Sequence, residues 1–133
     1  MSERFLKSAV WNIEGLSSDK ISDPHFLQSI SKFHIVSFVE TWGNDLNDDL
    51  NLQNFHLIAS SCRKKHKKAR RNSGGISIFV KNQIVKGIKK LPKNHSDILW
   101  IKLVKTFFNF NRDIYLATIY IYLQNIQVFM KMA

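Results

Sequence analysis

His34-Ile35-Val36-Ser37-Phe38-Val39-Glu40 is almost continuously apolar over the length of one strand and stops at a carboxylate. A strand with one wet face would alternate. An unbroken run of branched and aromatic residues is what a strand covered on both faces requires, and such strands belong to sheets with layers packed on either side. On its N-terminal side, Phe5 to Ile13 carries Phe5, Val10, Trp11 and Ile13 and stops at Gly15, which reads as a second strand ending in a turn. Between the two lies a helix start signal: Ser22 or Asp23 can cap, Pro24 suits the first helical position, and Phe26, Leu27 and Ile30 fall on one stripe. Strand, short helix and strand within about 35 residues make a βαβ unit, whose usual crossover predicts two parallel strands.

Beyond Glu40 the texture changes. Gly43 to Asn54 is polar and rich in Asn and Asp, with Leu46, Leu50 and Leu52 as its only anchors, and is expected to form a loop with one helical turn at most. Phe55–Ala59, Ile76–Val80, Ile98–Val104 and Ile114–Ile121 then read as short strands, with breaks at Gly74-Gly75, Gly87, Pro92 and Asn109-Phe110-Asn111. In the third of these, Leu99, Ile101 and Leu103 alternate with Trp100 and Lys102, the pattern of one buried and one open face.

The 133 residues, 44% of them apolar, suffice for one domain with a real core. A single cysteine, Cys62, excludes a disulfide framework. No apolar run is long enough to span a membrane, and the start Met-Ser-Glu-Arg lacks a signal-peptide profile, so an intracellular protein is expected. Charge is divided unevenly. Residues 1–60 hold 4 basic and 8 acidic side chains, net −4, whereas residues 61–133 hold 16 basic and 2 acidic, net +14. Such asymmetry points to a polyanion, either nucleic acid or an anionic membrane face.

In open α/β sheets, polar residues at the carboxyl ends of parallel strands face the crevice where ligands bind. Asn12 closes the first strand and Glu40 the second. On neighbouring strands, the amide and the carboxylate would project from one sheet edge about 5 to 10 Å apart. Their oxygens suit a hard cation, which could polarise a phosphoryl oxygen; the competing reading is a turn residue and a solvated charge. Arg63-Lys64-Lys65-His66-Lys67-Lys68-Ala69-Arg70-Arg71 places seven cations in nine positions between two strands. Its Arg63, Lys64, Lys65, Lys67, Lys68, Arg70 and Arg71 are candidate nucleic-acid contacts, and the run also fits a nuclear localisation signal or a solvated loop. His25, His34, His56, His66 and His95 show no zinc-site spacing, and no nucleophile elbow, phosphate-binding glycine loop or dinucleotide fingerprint occurs.

Taken in order, Trp11-Asn12-Ile13-Glu14-Gly15-Leu16, Val36-Ser37-Phe38-Val39-Glu40-Thr41-Trp42, Ser73-Gly74-Gly75-Ile76-Ser77-Ile78-Phe79-Val80, Ser96-Asp97-Ile98-Leu99-Trp100-Ile101 and Ile114-Tyr115-Leu116-Ala117-Thr118-Ile119-Tyr120 resemble the successive motifs of the endonuclease/exonuclease/phosphatase superfamily. The flavour is that of the endonuclease domain of LINE-type retrotransposons. The resemblance implies an α/β fold, part of a four-layer α/β sandwich with two mixed β-sheets. It implies a Mg²⁺- or Mn²⁺-dependent phosphodiesterase acting on DNA, with Asn12 and Glu40 at the metal and phosphate, and Tyr120 near the scissile phosphate.

The likeness covers residues 5–121, about half of such a domain. Tyr120 is followed by Ile121-Tyr122-Leu123-Gln124 where the family has prolines, and residues 123–133 resemble nothing in it. Gly-Asp-Phe-Asn and Ser-Asp-His, which supply the family's water-activating and transition-state groups, do not occur, and His95-Ser96-Asp97 reads as a turn before a strand. The expectation is therefore a partial domain over residues 1–122, catalytically incomplete, with a divergent tail. Two other classes stay open: a non-enzymatic basic fragment that holds nucleic acid, and a relic of a phosphatase acting on other phosphate esters. Oligomeric state is not legible.

Overall fold

A computed structural model describes residues 5–43, 51–63 and 73–121. Strand β1 (Ser8–Asn12) is followed by helices α1 (Ser18–Ser22) and α2 (Pro24–Ile30), then β2 (Ile35–Val39). As the capping signal predicts, the Asp23 side chain accepts the His25 N–H and Pro24 opens α2. Helix α1 has no counterpart in the sequence reading. Its single buried side chain, Ile21, leaves no periodic stripe to detect, and the element rests on Ser17, whose hydroxyl accepts the Lys20 N–H.

The chain continues through β3 (Phe55–Ser61), β4 (Ile76–Lys81), a 3₁₀ segment (Asn82–Gly87), β5 (Ile88–Lys90), β6 (Ile98–Leu103), α3 (Lys105–Phe108) and β7 (Ile114–Ile119). The four downstream strand expectations are found with ends shifted by one or two residues. Strand β5 went unread, because three residues with two exposed lysines carry no pattern, and so did the single turn of α3. The expected Gly43–Asn54 loop falls largely outside the described residues, as do residues 123–133.

Two sheets result, one with strand order β1-β2-β4-β3 and one with order β5-β6-β7. β1 and β2 are parallel neighbours in the register Ser8↔Ile35 to Asn12↔Val39, while all other pairs are antiparallel. The first sheet is therefore mixed. Every residue of β2 is buried. Val36 and Phe38 face the layer of α1 and α2, in a cluster with Ile13, Leu16, Ile21, Ile30 and Phe79. Ile35 and Val39 face the second sheet, in a cluster with Ile78, Val80, Leu99, Ile101, Leu103 and Tyr120. Helix layer, mixed sheet and second sheet stack as three layers of an α/β sandwich. The outer face of the second sheet carries Trp100, 44% exposed. Among the described residues no helix is long and apolar enough to cross a membrane.

The seam between the sheets holds a polar pair. Ser37 and Thr118, each 2% exposed, share a hydroxyl–hydroxyl hydrogen bond of 2.8 Å across 81 residues. Two buried hydroxyls satisfy each other, so removing one strands the other without a partner. In urea unfolding, Ser37→Ala and Thr118→Val are each expected to lose about 1–3 kcal/mol, and the double variant clearly less than the sum. Strict additivity would show that the bond does not link the sheets.

Candidate active site at the strand ends

The parallel pairing of β1 and β2 continues past both strands. Ile13 N–H donates to Val39 O (3.0 Å), Gly15 N–H to Glu40 O (2.7 Å) and Leu16 N–H to Thr41 O (2.9 Å). Asn12 and Glu40 therefore leave the same sheet edge side by side. Asn12 Oδ1 accepts the Glu14 N–H at 3.2 Å, a local turn that Asn forms readily. The turn is held from α1, where Lys20 Nζ donates to Ile13 O (2.5 Å) and Glu14 O (3.0 Å).

The Glu40 backbone is left-handed, with φ 57°, and so is Trp42, with φ 56°. Non-glycine residues adopt this region at a cost and hold it where the surroundings over-determine the geometry. Here Thr41 N–H donates to Gly75 O (3.3 Å) and Trp42 N–H to Gly74 O (2.9 Å), so the start of β4 grips the turn. Gly75 has φ +94°, and a Cβ placed on it would collide with Thr41 Oγ1. Only glycine permits that approach.

Tyr120 closes the site from the second sheet. It is 8% exposed, its N–H donates to Asp97 O (2.9 Å), and its hydroxyl donates to Glu40 Oε1 at 2.8 Å. A carboxylate offers about four lone-pair sites, so this bond orients Glu40 without exhausting its capacity for a cation. Among the described residues no group of three or more His, Cys, Asp or Glu side chains gathers; Glu40 and Asn12 are the strand-end residues that bring a carboxylate and an amide oxygen to this edge.

Of the cationic run, Arg63 alone is described; Lys64, Lys65, Lys67, Lys68, Arg70 and Arg71 lie outside the described residues. The run belongs to the β3–β4 connection, both of whose ends reach the Glu40 edge: Ser61 pairs with Ile76, and Ile76 with Val39. Arg63 is bound to Asp97 in a two-toothed ion pair, and its guanidinium carbon lies over the Tyr120 ring. Sequence reasoning missed that pair, as it missed Lys20 and Gly75 as supports. A contact between residues 34 apart leaves no local signal, whereas adjacent glycines before a strand did mark the turn. His95-Ser96-Asp97 is a turn as read, with His95 Nδ1 accepting the Asp97 N–H.

Neither protein-family models nor curated protein sequences give a match to this chain. Among solved structures it is similar to the crystal structure of AP endonuclease LMAP from Leishmania major, with a TM-score of 0.62 and 18% sequence identity. The match covers 86% of this chain and 40% of that one, so the chain spans well under half of the structure it resembles. The likeness is one of fold, a portion of the α/β sandwich of that endonuclease. Gly75→Ala is expected to lower stability by about 1–3 kcal/mol, read as a drop in thermal midpoint, because it forces a left-handed alanine against Thr41. An unchanged midpoint would mean that the turn does not need this glycine.

Proposed function

We propose that this chain is the metal- and phosphate-holding portion of a Mg²⁺-dependent DNA endonuclease of the retrotransposon kind its motifs resemble, without the groups that complete hydrolysis. The observation that carries this reading is the bond from the Tyr120 hydroxyl to Glu40, which joins two motif residues 80 positions apart at the edge shared with Asn12. A merely solvated glutamate would not be met by a buried tyrosine and carried on a left-handed backbone held by two glycine carbonyls.

The donor set fits magnesium, which binds through one or two carboxylates, with waters and substrate phosphates filling the rest. Glu40 would be the anionic ligand and Asn12 an amide ligand or phosphate-orienting group; such an ion supplies Lewis-acid stabilisation of charge on phosphoryl oxygens. The Tyr120 hydroxyl donates to Glu40 and fixes the carboxylate's rotamer before a ligand arrives. The 16 cations of residues 61–133 favour DNA over lipid or inositol phosphates, and the run in the β3–β4 connection suits a phosphate backbone. The fold neighbour's own description as an AP endonuclease points the same way.

Neither Gly-Asp-Phe-Asn nor Ser-Asp-His occurs in the sequence, so no residue is available for the water-activating roles that the resemblance assigns to them. General acid–base and preorganised electrostatic contributions are each worth orders of magnitude in rate, and losing several together leaves turnover near background.

With Mg²⁺ and supercoiled plasmid, the chain and Glu40→Ala should nick equally poorly. Robust nicking abolished in Glu40→Ala would overturn the incompleteness. In isothermal titration, Mg²⁺ affinity should fall at least about tenfold in Glu40→Ala, the loss expected when the site's anionic ligand is removed. Equal affinity would leave a binder of nucleic acid without a metal site. Replacing Lys64, Lys65, Lys67, Lys68, Arg70 and Arg71 by glutamine should weaken duplex binding and reduce its salt slope by up to about 0.9 for each phosphate no longer neutralised. An unaltered slope would remove the run from the interface.

A further inference from the structure

Asp97 and Asp113 are the only acidic side chains in residues 61–133. Asp113 accepts the Lys105 N–H at 2.8 Å. Asp97 takes Arg63 in a fork, Nε to Oδ1 at 2.8 Å and Nη2 to Oδ2 at 2.6 Å, with both side chains partly buried. The same aspartate's carbonyl accepts the Tyr120 N–H, and the Arg63 guanidinium carbon lies 5.2 Å from the centroid of the Tyr120 ring. Gly74 makes room for this arrangement. A Cβ there would stand 2.8 Å from Arg63 Cδ. Residues from the end of β3, the approach to β4, the approach to β6 and the end of β7 thus converge on one aromatic ring whose hydroxyl rests on Glu40.

We infer that Arg63 and Asp97 are a positioning pair for Tyr120, and that Arg63 is therefore not one of the phosphate contacts of the cationic run it opens. The inference deepens the reading of Glu40 and Tyr120 as the phosphate end of the site. An arginine that reads phosphate presents its planar fork to phosphate oxygens, and here the fork is matched to a carboxylate on two N–H groups. The guanidinium carbon also sits over the ring face, a cation–π contact for which arginine is better suited than a flexible ammonium. With the ring face held by Arg63 and the Tyr120 backbone held by Asp97, the hydroxyl has one direction in which to point.

The test uses the full chain with ¹³C-labelled tyrosine rings. The sequence has three tyrosines, and Tyr120→Phe assigns the relevant signal. Arg63→Gln, Arg63→Lys and Asp97→Asn should each shift or broaden the Tyr120 resonance, whereas Arg70→Gln/Arg71→Gln should leave it in place. In duplex DNA titrations, Arg63→Gln should keep the slope of log affinity on log salt, while the Arg70/Arg71 variant lowers it by about two. A Tyr120 signal unmoved by Arg63→Gln and Asp97→Asn, or a slope lowered by about one in Arg63→Gln, would overturn the inference. An unmoved signal in Arg63→Lys would overturn the role of the fork. If the Arg63 variants fail to fold, the isosteric Asp97→Asn carries the test. If the unmutated chain does not bind duplex at all, the nucleic-acid reading falls, and the Tyr120 signal still decides the positioning pair.

Discussion

Burial of β2 on both faces is the constraint from which the rest of the structure follows. A strand with Val36 and Phe38 on one side and Ile35 and Val39 on the other cannot rest at the surface, because either face left wet would expose branched and aromatic side chains to water. The helix layer answers one face and the second sheet the other. Its neighbours are set by the same demand, with β1 parallel on one side and β4 antiparallel on the other, so all backbone groups of the central strand can be paired without solvent.

The site is a product of that stacking. Where β2 ends, the chain must leave the core, and it does so through the left-handed Glu40 and Trp42, with the carbonyls of Gly75 and Gly74 gripping Thr41 and Trp42. The second sheet meets it there. Ser37 with Thr118, and Glu40 with Tyr120, are successive polar links across the same seam, one sealed inside and one at the rim. A buried polar pair within an apolar seam discriminates between registers, because sliding the sheets leaves hydroxyls unpaired.

Much of the architecture could be read from local pattern. The unbroken run of residues 34–39 announced a doubly covered strand, Asp23-Pro24 announced α2, and the alternation of Leu99, Ile101 and Leu103 announced a half-buried β6. Asn12 and Glu40 were reachable by strand-end geometry, and Tyr120 through the resemblance of its motif. What escaped had too little length to be periodic, such as α1, α3 and β5. Arg63 shows a different kind of limit. Within a run of cations it looked like its neighbours, and only its distant partner, Asp97, separates it from them.

The sequence by itself determined six of the seven strands, which of them is central, where the two strand-end oxygens lie and how the charge divides, because these depend on side-chain type at short spacing. Tertiary structure decided the order of strands in two sheets, the meeting of Tyr120 with Glu40 across 80 residues, and the withdrawal of Arg63 into an ion pair. Those outcomes come from burying both faces of one strand at once. That requirement brings distant segments to within hydrogen-bond reach, and no local pattern encodes their distance.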